Sequence, residues 1–217
     1  MIDVPDHISL WGLRLAICQP LQQYANVRPT KVFRGTKSPL RACSPGELDW
    51  VIIRENSEGE YAGQGGRSHA GRAWETATEV SIFTRHGVER IMRFAFETAQ
   101  SRERKLLTVV TKSNAQRNGM VLWDEVAAKV AADYPDVKWE KMLVDAMTAR
   151  MVLKPRSLDT IVATNLVRHG SPEAPCCTKC VIHGRRQLIV TAPACRYSIR
   201  SGGGPGRLHW NSTHEQP

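Results

Sequence analysis

An α/β layer structure is the fold class this sequence predicts, and three observations carry it. Short apolar, β-branched runs of strand length stand at residues 49–53, 106–110 and 158–163. Segments of helical period at residues 86–102 and 117–133 alternate with them, the pattern of strands layered against helices. Polar groups recur where each run stops, and open α/β sheets hold their ligands at those carboxyl ends.

The elements follow in chain order. A lead-in helix carries Arg14 and Cys18. A strand is expected near Lys31, Val32 and Phe33. Ser44, Pro45, Gly46 and Glu47 match a capping box with proline at the first helical position, so a turn or short helix is expected there. The Trp50 strand comes next, followed by a Gly-rich excursion over residues 62–72 and a Thr/Val/Ile-containing stretch over 74–82, together a hairpin arm. Residues 86–102 form an amphipathic helix whose Val88, Ile91, Met92, Ala95 and Ala99 read as core packing. After the strand at 106–110, residues 117–133 repeat Met120, Val121, Trp123, Val126, Ala127 and Val130 at helical spacing until Pro135 closes the segment. A strand over residues 138–144 ends in Asp145, a helix covers 146–154, and the strand at 158–163 ends in Thr164 and Asn165.

The chemistry concentrates in Arg54-Glu55-Asn56-Ser57-Glu58-Gly59-Glu60-Tyr61, directly after the Trp50 strand. An arginine there can grip a carboxylate through two parallel hydrogen bonds, and Tyr61 can donate a proton. The plainer reading is a solvated charged loop. Lys112 lies between a strand and a helix start, where partial desolvation lowers a lysine pKa and makes it a base; a snorkelling surface lysine is the competing reading. Asp145 suits hard-cation coordination and equally suits a helix N-cap. Recurrence at the ends of four expected strands favours function over any single coincidence.

These stretches, with Ser9-Leu10-Trp11-Gly12, Tyr24-Ala25-Asn26-Val27-Arg28-Pro29, Thr111-Lys112-Ser113-Asn114-Ala115, Val144-Asp145-Ala146 and Thr164-Asn165-Leu166, resemble the β-decarboxylating dehydrogenases, the isocitrate/isopropylmalate dehydrogenase family, and within it the branch acting on tartrate and D-malate. The likeness runs from about Val4 to Leu166. It implies a partial isopropylmalate-dehydrogenase-like fold, a mixed sheet with flanking helices and a protruding β-arm that crosses to a partner subunit. It also implies oxidative decarboxylation of a small 2-hydroxy dicarboxylic acid with NAD and Mg²⁺ or Mn²⁺, by a homodimer. Under that resemblance Arg28 and Arg54 hold substrate carboxylates and Tyr61 protonates the enol. Lys112 serves the hydroxyl proton, reaching the site across the dimer; Asn114 lies near the nicotinamide and Asp145 binds the metal.

Three departures modify the expectation. Where the family has a further substrate arginine, ten residues before Arg28, this chain has Cys18; Arg14, one helical turn earlier, stands in. The family's N-terminal Gly-rich cofactor loop and its later Gly-rich cofactor segment have no counterpart. After Leu166 the likeness stops, and the family's two further metal aspartates correspond to His169 and Glu173, beside the helix-breaking Gly170 and Pro172. Residues 1–166 are thus expected to be the substrate-binding and dimerisation part of such an enzyme, truncated at both ends. Residues 167–217 are expected to be a divergent, basic, disordered tail, a frame-shift product by its composition.

That tail holds seven Lys/Arg against Glu173 and Glu215, so five of the chain's nine net positive charges, with four of its six cysteines and four of its seven histidines. Cys176, Cys177, Cys180, His183 and Cys195 raise a zinc reading, though the spacing matches no common structural zinc site. A pI near 9.5 raises nucleic acid, but the arginines are scattered and only Tyr197 and Trp210 could stack on bases. No run approaches the ~20 apolar residues of a membrane span. The start lacks a signal-peptide pattern, and Cys18 and Cys43 show no disulfide pattern, so a cytoplasmic location is expected. Readings from other classes remain: a non-catalytic dimerisation fragment or pseudoenzyme, and a basic nucleic-acid- or zinc-binding protein built on the tail.

Overall fold

The computed structural model describes residues 4–33, 38, 40, 43 and 46–165; the expectations on residues 167–217 lie outside them, as do Ser44 and Pro45 of the capping box. Gly46 and Glu47 form a turn, with Gly46 at φ +89°. The chain runs α1 (Asp6–Ser9), a π-helical turn (Leu10–Leu15), α2 (Ala16–Cys18), β1 (Ala25–Lys31), β2 (Asp49–Glu55), β3 (Gly59–Ser68), β4 (Thr76–Ile82), α3 (Arg85–Ser101), β5 (Leu106–Thr111), α4 (Gly119–Ala131), β6 (Lys138–Leu143), α5 (Val144–Leu153), a 3₁₀ turn (Pro155–Ser157) and β7 (Thr160–Ala163).

Five strands form a mixed sheet in the order β1-β2-β7-β5-β6, and β3 and β4 form a separate antiparallel hairpin. The β2, β7, β5 and β6 strands are parallel, and only β1 runs against them. The carboxyl ends of four strands therefore share one edge of the sheet. The fold class, mixed sheet and β-arm expected from the sequence are all present.

Side-chain alternation along the strands divides the core in two. Val51 and Ile53 of β2, Leu107 and Val109 of β5 and Val162 of β7 face α3 and α4, where Ile91, Met92, Phe96, Trp123 and Val126 are sealed from solvent. Burial of each such side chain is worth about 1.5–3 kcal/mol relative to exposure. Trp50, Val110, Ile161 and Ala163 face the other way and pack with Leu158 and with Met147 of α5. The α3 residues assigned to core packing all lie in the first cluster.

Several boundaries differ from the sequence expectation. The first strand occupies Ala25–Lys31 rather than the Val32 region. It is an edge strand with intermediate side chains, which tolerates Pro29 and the polar Asn26, Arg28 and Thr30. The lead-in segment is helical, but a π turn forms its middle. Asp145 is not an N-cap: α5 follows β6 without a loop, Leu143 is the capping position, and Asp145 sits in the first helical turn. No helix among the described residues is long and apolar enough to cross a membrane.

Candidate active site

The β2 strand continues two residues past its apolar run, so Arg54 and Glu55 belong to the strand and are 3% and 2% exposed. Arg54 pairs in register with Asn26 of β1 and Ala163 of β7. Residues opposite one another on antiparallel strands share a face, and alternation places Arg28 on the Asn26 face. Arg28 confirms the placement by donating from Nε to Asn26 Oδ1 at 2.8 Å. Arg28 and Arg54 thus project from one face, near the carboxyl edge.

After Glu55 the chain turns through residues 56–58 and enters β3 at Gly59, whose φ of +71° suits glycine. This turn brings Tyr61 back onto Arg54. Arg54 Nη2 donates to the phenol oxygen at 2.8 Å and to the Asn165 carbonyl at 3.1 Å. The guanidinium carbon lies 5.3 Å from the Tyr61 ring centroid, and the ring is 6% exposed. Arg14 approaches from the π turn, 5.9 Å from the same centroid, and bonds Asn56 Oδ1. Trp11 meets Tyr61 edge-on at 6.4 Å, and Gln19 donates to the Tyr61 carbonyl at 3.2 Å. The phenol oxygen thus accepts from a guanidinium, and the cations beside it attract an anion.

The turn is held from below by two carboxylates. Glu55 accepts from the Ser57 amide, the Ser57 hydroxyl and the Glu58 amide at 2.8–3.0 Å. Burial pushes the Glu55 carboxyl above the usual carboxylate range; the two amides, the hydroxyl and Arg90, 3.9 Å away, pull it back. Glu58 accepts from the amide and hydroxyl of Thr84, the N-cap of α3.

Lys112 and Asp145 meet each other at the ends of β5 and β6, with side chains 27% and 68% exposed. They lie on the far side of β7 from Arg54, about 10 Å away at ordinary strand spacing. The Lys112 carbonyl accepts from Ala115 and Gln116, forming the turn that carries the exposed Asn114. The seven predicted site residues therefore fall into two groups. Arg14, Arg28, Arg54 and Tyr61 gather around β2, and Lys112 and Asp145 pair beyond β5 with Asn114 beside them.

Among the described residues no three His, Cys, Asp or Glu side chains converge. One exposed carboxylate already paired with a lysine falls short of the oxygen-rich donor set of a hard cation. One exposed amide likewise falls short of a dinucleotide site. Sequence reasoning assigned no individual role to Asn26, Glu55, Asn56, Arg90 or Asn165, although Glu55, Asn56 and Asn165 carried a signal as polar residues following buried-strand runs. A cleft of about 490 Å³ at the opposite edge is lined by Asp49, Arg102, Arg156 and Asp159 among others. Arg102 and Arg156 are taken up by Asp159, Asp49 and Glu47, and Arg104 by the Leu158 and Arg156 carbonyls, so the cleft holds the sheet's amino edge together.

The fold and site define an α/β protein with a mixed sheet and projecting hairpin, whose carboxyl edge gathers arginines, a phenol and a lysine–carboxylate pair. The chain belongs to the isocitrate/isopropylmalate dehydrogenase family, whose model matches residues 6–168. It is 73% identical over 164 residues to a probable tartrate dehydrogenase/decarboxylase of Agrobacterium vitis, covering 76% of this chain and 46% of that protein. It is 47% identical over 163 residues to the decarboxylating D-malate dehydrogenase of Escherichia coli K12, covering 75% and 45%. Its fold matches the crystal structure of isocitrate dehydrogenase from Methylococcus capsulatus with a TM-score of 0.66 at 36% identity, over 71% of this chain and 44% of that one. The chain spans just under half the length of these relatives.

Proposed function

We propose that this chain supplies the substrate-anion and proton-donor part of a cytoplasmic, homodimeric, NAD- and Mg²⁺- or Mn²⁺-dependent dehydrogenase that oxidises and decarboxylates a 2-hydroxy dicarboxylate of the tartrate or D-malate type. The observation that carries it is the buried Arg54–Tyr61 pair at 2.8 Å on the carboxyl edge. Arg54 holds one substrate carboxylate, and Arg28 and Arg14, from β1 and the π turn, share the second negative charge. Lys112 takes the hydroxyl proton, and NAD would supply the hydride acceptor for the oxidation. Loss of CO₂ from the resulting β-keto carboxylate leaves an enolate, and Tyr61 gives the proton that restores the carbon.

Within one chain the Lys112–Asp145 pair stands across β7 from Arg54, so Lys112 serves the partner's Tyr61 and completes the site only in a dimer. The hairpin supports this arrangement: Trp74, Val80 and Ile82 are 65%, 52% and 42% exposed, and a two-stranded hairpin needs a partner surface for stability. Asn114 and Asp145 are this chain's groups assigned to NAD and the metal. Because they make neither site by themselves, no step is routed through the metal, and the chain alone is expected to turn over below ~1 s⁻¹. That same shortfall favours the second reading, a non-catalytic dimerisation module.

Calorimetry with D-malate and tartrate on the full chain, and on Arg54→Gln, decides between them. Binding that weakens at least tenfold in Arg54→Gln supports the substrate site. Binding that is absent, or indifferent to Arg54, leaves the dimerisation module. A monomer in sedimentation equilibrium overturns the shared site, and NADH formation with Mn²⁺ at enzyme-like rates shows the donor set complete.

A further inference from the structure

Glu55 is a buried ionisable group at the candidate site that the proposed reaction leaves without a task. Isolated burial of a carboxylate is costly, and it is tolerated here because the Glu55 oxygens collect Ser57 and the Glu58 amide at 2.8–3.0 Å. Those bonds fix the Glu58 peptide, whose carbonyl accepts from Asn165 Nδ2 at 2.7 Å; the same Nδ2 lies 3.4 Å from Glu55 Oε2. The Asn165 carbonyl in turn accepts from Arg54 Nη2 at 3.1 Å, the nitrogen that also donates to Tyr61. Arg90 braces the assembly from α3, bonding the Ser57 hydroxyl at 2.5 Å and standing 3.9 Å from Glu55. Between Glu55 and Arg54 the links run through the Glu58 main chain and the short Asn165 residue, so a displacement at Glu55 has few rotatable bonds in which to dissipate before it reaches the carbonyl that holds the guanidinium.

We propose that Glu55 is a positioning residue that aims Arg54 at the substrate carboxylate through the Glu58 peptide and Asn165. The proposal rests on the reading of Arg54 as a substrate-binding group. Glutamine at position 55 keeps the volume but offers one acceptor oxygen where two are used, and turns an amide NH₂ toward the Ser57 and Glu58 amides. The turn must shift, Asn165 loses its anchor, and Arg54 keeps its charge but not its aim.

A double-mutant cycle on the full chain tests this, with D-malate affinity by calorimetry and stability by urea denaturation read on wild type, Glu55→Gln, Arg54→Gln and the double variant. Groups acting through one another give non-additive effects. Glu55→Gln is expected to weaken D-malate about tenfold when Arg54 is present and by less than twofold when it is not, while its effect on stability persists in both backgrounds. Asn165→Ala, which cuts the next link, is expected to reproduce the affinity loss if Glu55→Gln does not fold. Undiminished affinity in a folded Glu55→Gln or Asn165→Ala protein, or an equal loss with and without Arg54, overturns the positioning role alone. Affinity indifferent to Arg54→Gln, or no D-malate binding by wild type, overturns the substrate-site reading and this inference with it.

Discussion

Gly87 stands in the first turn of α3, and an added Cβ would fall inside the Glu58 carboxylate, against its carbon and both oxygens. Glu58 cannot step aside without cost, because it accepts from the Thr84 amide at 2.9 Å and the Thr84 hydroxyl at 2.7 Å. The Thr84 hydroxyl also accepts from the Gly87 amide at 2.9 Å, so cap and carboxylate form one unit. Gly87→Ala therefore loses the hydrogen bonds to a charged group, about 1.5–3 kcal/mol. It also loses the favourable charge at a helix N-terminus, about 0.3–1 kcal/mol, and regains about 1 kcal/mol of helix propensity. The net is destabilisation of roughly 2 kcal/mol, equivalent to a Tm fall of about 4–8 °C for a folded unit of this size. Urea and thermal denaturation followed by circular dichroism measure it directly. The clash also predicts rescue: in a Glu58→Ser background, Gly87→Ala should be neutral or stabilising. A Gly87→Ala protein as stable as wild type, or a double variant no better than the sum of its parts, would refute the reasoning.

Two further outcomes are expected. Arg102→Met removes the partner of Asp159, whose side chain is 1% exposed and whose Oδ1 is held at 2.7 and 2.9 Å; leaving that buried carboxylate alone should cost about 3–5 kcal/mol in urea denaturation. Glu55 binds its proton more tightly folded than unfolded, because burial raises its pKa. Its contribution to stability is therefore full below the ordinary glutamate value and declines as pH rises through the raised one, so the difference in Tm between wild type and Glu55→Gln should shift with pH across that interval, read by scanning calorimetry in a pH series, and a pH-independent difference would refute it.

The interior strands were legible because β2, β5 and β7 lie between helices, and such strands read as unbroken apolar runs. The edge strand β1 was misplaced for the converse reason, since one-sided exposure filled it with Asn26, Arg28, Pro29 and Thr30. The π turn left no trace, because i→i+5 bonding is set by what the segment packs on, here Tyr61 and Asn56 through Arg14. Asp145 looked like a cap because the strand was carried through Val144, whereas the helix already begins there and Leu143 is the capping position. At the site, Arg54 and Tyr61 stood out as a cation and a phenol after a buried strand. Asn165 stood out only as a strand-end polar residue; its contact with Arg54 depends on the β2–β7 register, which local pattern does not encode.

That register has a consequence for biosynthesis. The strand β7 sits between β2 and β5, yet among the seven strands of the described residues it is the last to leave the ribosome. Arg54 waits for a carbonyl 111 residues downstream, roughly 5–20 s at ordinary translation rates of about 5–20 residues per second. Once β5 has emerged, the nascent chain presents two unpaired inner edges, β2 and β5. Arrival of four residues, Thr160–Ala163, closes both edges at once, so a ribosome stalled just short of them would display a sticky, site-less intermediate and recruit holdase chaperones far more strongly than one stalled just beyond.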